Sequence, residues 1–419
     1  MAYISGKDRF SPGLFDLPQD ITGGLPLQVI GQWVDSEQDQ TTAQLLLEPH
    51  KVTGYSVSSD TAGLTRLTGE MGLLEILAII NQPKEIIYKM GMAIGGRALG
   101  VWAADNTQMF YPRSVSAATI LSSLLTAQDV INRDCHVKIG LGAHFGEFYS
   151  LSGGLYGAEA DAIEELTENE TEGGEIVITE KLRAQLPDDH EFTLVQRDDA
   201  SPSLGAVFRV LDGPRAAWGA EALAAEGRYP IPYSDSFYDA LVAYQRRLND
   251  ASYGRRLAEE HLQNKVVTLI ERESLAAESN EVALCYNLSL SALLKDTGMR
   301  LLAETPGVEV KVTGPLGIYI FDDAGAALAF AQAFRRALSQ EGLACRIGID
   351  AGPVLVFDLA TGGSDIAGMA VNMASKMAQD KGQMGKLYLS VAVKERIEEG
   401  SFTELRYTVS GVEVVAYEG

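Results

Sequence analysis

Six acids crowd one short stretch of the chain: Glu159, Asp161, Glu164, Glu165, Glu168 and Glu170. Carboxylates at that density either form a solvated helix face or hold a divalent cation, and a hard cation needs oxygen ligands fixed by a loop. No loop of EF-hand spacing is present, so the solvated face is the stronger reading. Two glycine-rich runs, GGRALG (95–100) and GLGAHFG (140–146), have the look of phosphate loops. Neither is a GxGxxG that opens a helix after a strand, which argues against dinucleotide binding. His144, inside the second run, reads as a structural or interface residue rather than a base. Cys135, Cys285 and Cys345 have no metal-ligand spacing and read as small buried hydrophobes in a reducing cytosol.

The elements that carry these residues occur twice. SVSSDTAGLTRLT (56–68), AIGGRALGVWAAD (93–105), GAHFGE (142–147), GAEADAIEEL (157–166) and GGEIVIT (173–179) are followed, in the same order, by ALCYNLSLSALL (283–294), VTGPLGIYIFDD (312–323), GIDAGP (348–353), GMAVNMASKM (368–377) and MGKLYLS (384–390). Self-similarity of this kind predicts two like domains. At 419 residues the chain is long enough for both. A 46% hydrophobic and 22% charged composition is that of folded globular protein. No apolar run reaches the ~20 residues of a membrane span, and the start MAYISGKDRF lacks the apolar core of a secretory signal. A net charge of −23 makes nucleic acid and anionic membrane poor partners. Any nucleotide site must therefore gather its cations locally.

The first half reads as β-rich VTGYSVSS, a helix over EMGLLEILAII, two strands over IIYKMGMAIGGRALGVWAAD joined at Gly95–Gly96, a helix over SAATILSSLLTAQDVI and a strand over HVKIGLGAHF. This alternation predicts an α/β sandwich, with helices mostly on one face of a sheet. Residues 1–45 read as an irregular N-terminal extension packed on the first domain, with a short strand near Leu27–Val34. The expected domains are 46–227 and 279–419. Between them, 228–278 is expected to be a proline-bounded connector and a helical linker, with Ser234 or Ser236 as a cap, Leu241, Tyr244 and Leu248 on one face and an interruption at Gly254.

The ordered motifs of both halves resemble the class III adenylate/guanylate cyclase homology domain. That resemblance implies a ferredoxin-like core in each half and an intramolecular pseudo-dimer with nucleotide sites between the halves. It implies metal binding by one Asp at the end of the first strand and another in a hairpin, two carboxylates that hold Mg²⁺ or Mn²⁺ against ATP. Asp60 matches the first; the second falls at Gly96, and the second half has Tyr286 and Pro315 at these places. The resemblance assigns adenine recognition to Lys311 and Asp365, and it assigns the family's Asn and Arg positions to Asn372 and Lys376. Lysine keeps the charge of that arginine but not its planar fork. The first-half counterparts are Met92, Gly154, Asp161 and Glu165, a set that repels a triphosphate.

Those matches imply a degenerate cyclase: a cytoplasmic regulatory or interaction module that works with another protein and binds an adenine nucleotide at one site. The other readings are an active adenylate cyclase that converts ATP to 3′,5′-cyclic AMP and pyrophosphate, and a structural subunit that uses the fold as a scaffold. Asp60 alone also reads as a turn-capping acid, and Lys311 with Asp365 as a plain ion pair.

Overall fold

The computed structural model describes residues 4–17, 24–63, 67, 73–102, 107–231, 233–247, 250–359, 364–397, 400–409 and 412–419. The chain forms two compact units. One contains residues 48–64 and 74–254; the other contains 1–47, 65–73 and 255–419.

Two short helices, α1 (Leu27–Val34) and α2 (Gln40–Leu47), open the chain. Leu27, Ile30, Trp33 and Val34 are buried and fall at helical spacing, so this segment is helix and not the expected strand. The unit that holds the first repeat contains β1 (Lys51–Thr61), α3 (Leu73–Ala93, its first residue excepted), β2 (Arg97–Ala98), β3 (Thr107–Pro112), α4 (Ala117–Asp134), β4 (Ile139–Leu151), β5 (Gly154–Tyr156), α5 (Ala158–Glu170), β6 (Ile176–Thr179), β7 (Thr193–Gln196) and β8 (Val207–Asp212). The sheet order is β2-β3-β1-β4-β6-β8-β7, with β5 hairpinned onto β4. Ser116 caps α4 by accepting the Thr119 amide. The expected strand through Ile86–Ala93 is instead the end of α3, which continues through Pro83.

The segment read as connector packs on this same unit. Its helix α6 (Asp235–Gln245) is capped by Ser234 as expected, and Tyr229, Tyr238 and Gln245 hydrogen-bond to Asn81, Glu85 and Gln82 of α3. A second helix, α7 (Ala251–His261), runs through Gly254, so the break falls before that glycine. Leu248 lies outside the described residues.

The second repeat contains β9 (Leu262–Arg272), α8 (Asn280–Leu302), β10 (Val308–Thr313), β11 (Leu316–Phe321), α9 (Ala324–Gln340), β12 (Cys345–Asp358), β13 (Ser364–Ala367), α10 (Met369–Ser375), β14 (Leu387–Ser390), β15 (Thr403–Val409) and β16 (Val412–Glu418). Its sheet order, β10-β11-β9-β12-β14-β16-β15 with β13 on β12, repeats that of the first. In each sheet one pairing is parallel, β4 with β6 and β12 with β14. β9 corrects the linker reading: residues 262–272 are the central strand of the second sheet. The N-terminal extension packs on this unit and not on the first repeat. Trp33 meets Tyr286 of α8 edge-on at 5.3 Å, and the Ser11 amide donates to buried Asp296. No helix among the described residues is long and apolar enough to cross a membrane.

Candidate nucleotide site

The four residues assigned to base and phosphate recognition all belong to the second repeat. Lys311 lies on β10, opposite Ile318 of β11, just after an irregularity at Glu309. Asp365 lies on β13, opposite Phe357 of β12. The Lys311 Nζ donates to Asp365 Oδ2 at 2.8 Å, while Asp365 Oδ1 accepts the Ile366 amide at 2.8 Å. Asp365 is 5% exposed and the Lys311 side chain 31%, so the carboxylate is held inside and the lysine that reaches it is partly buried. Asn372 and Lys376 are four residues apart, which puts them on one side of a helix. Gly368, at φ +152°, starts that helix, α10. Ala370, Ala374 and Ala378 pack it onto Val267, Leu269, Ile318, Ile320 and Val354. Asn372 is half-buried beside this apolar seam, and Lys376 begins a π-helical turn to Asp380 with Nζ 3.8 Å from the Asp380 carboxylate. Such turns widen the backbone locally and recur at functional sites.

The pairings of β4 with β6 and β12 with β14 align the two repeats residue by residue. Leu141, Gly142 and Ala143 face Ile176, Val177 and Ile178 as Ile347, Gly348 and Ile349 face Leu387, Tyr388 and Leu389. From this alignment Gly154 stands at the position of Asp365. Asp161 and Glu165 stand at those of Asn372 and Lys376, four and eight residues after the glycine caps Gly157 and Gly368. Those three counterparts match the sequence reading. Met92 does not: it is an exposed residue in α3, not on the hairpin.

The metal positions also change. Asp60 of β1 faces Gly140 of β4, and the equivalent pair in the second repeat is Glu271 of β9 and Arg346 of β12. Tyr286, expected at this place, is in helix α8. Sequence reading missed Glu271 because the strand around it lay inside the supposed linker. Gly96 lies in the turn between α3 and β2, its amide donating to the Gly91 carbonyl, and not in the turn between β2 and β3. Ser59 faces Thr107 where Ile270 faces Gly317, so two residues earlier in each chain stand Asp105 and Pro315. Asp105 lies outside the described residues, as does most of the turn after Asp60. Among the described residues no three His, Cys, Asp or Glu side chains converge as a metal centre. Asp60 is therefore one carboxylate of a donor set that the described residues do not complete.

The acid-rich helix α5 is engaged on its own unit. Glu165 accepts from Ser203, and Glu170 from the Ser201 amide. Buried His144 bridges Thr179 Oγ1 at 2.8 Å and Glu159 Oε2 at 2.6 Å, and Lys181 takes the other Glu159 oxygen at 2.6 Å. The hydrogen bond from His144, followed by that from Lys181, holds the Glu159 carboxyl down at about 2, against burial that pushes it up. The folded-state value lies below the ordinary ~4.5, so this stability is complete above pH ~4.5 and is lost as pH falls towards 2. Glu159→Gln should therefore reduce stability at pH 7 and narrow its gap from the natural protein between pH 5 and 2. Thermal unfolding across that range checks it, and a constant gap is the adverse result.

The family of the adenylate and guanylate cyclase catalytic domain matches residues 319–415. Among solved structures, a class III adenylyl cyclase-like ATP-binding protein from Pseudomonas aeruginosa is similar over 83% of this chain and 85% of its own, at 13% identity and a TM-score of 0.53. An adenylate/guanylate cyclase/hydrolase from Silicibacter pomeroyi is similar over 38% of this chain and 97% of its own, at 23% identity and a TM-score of 0.31. The guanylate cyclase domain of RhGC from Catenaria anguillulae, in complex with GTP, covers 37% and 95%, at 16% and 0.31. No curated protein matches the chain significantly. The fold is that of class III adenylate/guanylate cyclases, with two structurally similar α/β domains in one chain.

Proposed function

We propose that this protein is a cytoplasmic, non-catalytic cyclase-like regulator that binds an adenine nucleotide through Lys311, Asp365, Asn372 and Lys376 and passes that state to a partner protein. The observation that carries the reading is the Lys311–Asp365 pair. The fixed carboxylate can accept from adenine's exocyclic amine while the ammonium donates to its ring nitrogen, whereas guanine presents a carbonyl to the acid. Lys376 supplies a positive charge for phosphate, and Asn372 a neutral donor and acceptor on the same helix side. The similarly folded Pseudomonas protein is itself ATP-binding. Three free cysteines suit a reducing cytosol. Calorimetric titration with ATP and GTP tests the reading: tighter binding of ATP supports it, equal affinities oppose it, and no binding of either favours the scaffold reading.

A second reading, an active adenylate cyclase, is favoured by the register that gives Asp105 the sequence position of Pro315. Asp60 and Asp105 would then be the carboxylates for Mg²⁺ or Mn²⁺ with ATP, the ion supplying charge stabilisation to the phosphates. Against it stands Lys376, which keeps the charge of the family's arginine but not its planar fork. Each 1.36 kcal/mol of lost stabilisation costs about tenfold in rate. The expected result is cyclic-nucleotide production at background from ATP or GTP with either metal. A robust rate that Asp60→Asn or Asp105→Asn abolishes would promote the second reading.

A further inference from the structure

We propose that the second repeat carries its own cation at the strand end where the fold's metal carboxylate stands, so that Glu271 is closed to divalent ions by Arg346. Glu271 and Arg346 are direct cross-strand partners on β9 and β12. The Arg346 Nε donates to Glu271 Oε2 at 2.6 Å, with side chains 21% and 14% exposed, and its Nη1 donates to the Gly382 carbonyl. Opposite charges directly across a ladder stabilise one another, and a shielded pair is held far more firmly than an exposed one.

The neighbouring charges reinforce this. Arg272, the next residue, is 2% exposed and is fixed by Asn287 Oδ1, the Asn287 carbonyl, Ser291 Oγ and the Glu273 carbonyl. Burial lowers its guanidinium to about 10, which leaves it a cation at neutral pH. The remaining acid, Glu273, accepts the Ala344 amide. Two arginines thus balance two carboxylates, and each carboxylate has a donor of its own. A dication entering here must displace Arg346 from Glu271, with the buried cation Arg272 on the other face of the strand adding to the positive field. The hairpin supplies Pro315, which has no side-chain oxygen.

The equivalent corner of the first repeat is built in the opposite way. Arg346 becomes Gly140, and a methyl there would lie 2.4 Å from Thr171 Oγ1, so no longer side chain fits opposite Asp60. Arg272 becomes Thr61. The fold's metal chemistry therefore does not fit this strand end of the second repeat, and of the two equivalent corners only that of Asp60 is open to a cation. This inference does not depend on the nucleotide reading.

Manganese binding to the full chain without nucleotide, followed by electron paramagnetic resonance of free Mn²⁺, tests it. Glu271→Gln should leave Mn²⁺ uptake unchanged. Arg346→Gly combined with Pro315→Asp, which copies Gly140 and supplies the oxygen that the hairpin lacks, should add one Mn²⁺ per chain, Pro315→Asp alone should add none, and Glu271→Gln on top of the pair should remove the addition. Loss of Mn²⁺ uptake in Glu271→Gln overturns the proposal, because Glu271 would then bind metal in the presence of Arg346. An added ion in a folded Pro315→Asp chain, or no added ion in the folded double variant, overturns it also. If Arg346→Gly fails to fold by thermal unfolding, Arg346→Gln takes its place with the same outcomes.

Discussion

Asp365→Ala should weaken ATP binding by roughly five- to a hundredfold and flatten the preference for ATP over GTP. The substitution removes the acceptor for adenine's amine and leaves the partly buried Lys311 ammonium without its 2.8 Å partner. A polar mismatch in a shielded pocket costs ~1–3 kcal/mol, and each 1.36 kcal/mol is a factor of ten. GTP should lose less, because its carbonyl gains nothing from the acid. Because Asp365 also ties its own strand through the Ile366 amide, thermal unfolding must be measured beside the titrations. Equal losses for both nucleotides, or an unchanged ATP affinity in a folded variant, would mean that Lys311 and Asp365 are only a structural pair.

The parts of the fold legible in sequence are those where the backbone itself dictates residue type. Gly142 and Gly348 pass under helices, and Gly157 and Gly368 cap them at positive φ, so their spacing survives in both repeats and aligns Asp161 with Asn372 and Glu165 with Lys376. The segments misread were those where side-chain pattern had to decide without such markers. LQNKVVTLIER holds only a short buried run, VVTLI, flanked by polar residues and following a charged helix, and periodicity alone does not separate a buried strand from a helix there. The residue on this strand equivalent to Asp60 is Glu271, one methylene longer and paired with Arg346, so no Asp marks the position in the sequence. Helix α8 disguised itself by burying Ser289, Ser291, Lys295 and Asp296 on faces that a simple amphipathic pattern reserves for apolar residues. Helix α3 disguised itself with Pro83 and paired isoleucines, both of which argue for strand or break before packing overrides them. For the site, Lys311 and Asp365 were legible as a pair only through the resemblance, since 54 residues separate them.

Gly348→Ala tests whether the nucleotide site depends on how closely α10 lies on β12. A methyl at Gly348 would stand 2.0 Å from the Ala374 carbonyl oxygen and 2.9 Å from its carbon, both backbone atoms that no rotamer change can move aside. The helix must lift, and overpacking of this kind typically costs about 1–3 kcal/mol. Asn372 and Lys376 sit two residues to either side of Ala374, so the same displacement moves both. ATP affinity should therefore fall about tenfold or more even at temperatures where the variant remains folded. Gly352, four residues further along the same strand, provides the contrast. A methyl there meets only the Ala370 methyl at 3.8 Å, an ordinary contact, and Gly352→Ala should change stability by no more than about 0.5 kcal/mol and leave ATP binding as it was. If Gly348→Ala is destabilised but binds ATP normally, then α10 supports the fold without presenting the nucleotide's phosphate contact, and Lys376 loses its assigned role. If both variants behave alike, the approach of helix to strand at Gly348 is not what positions the site.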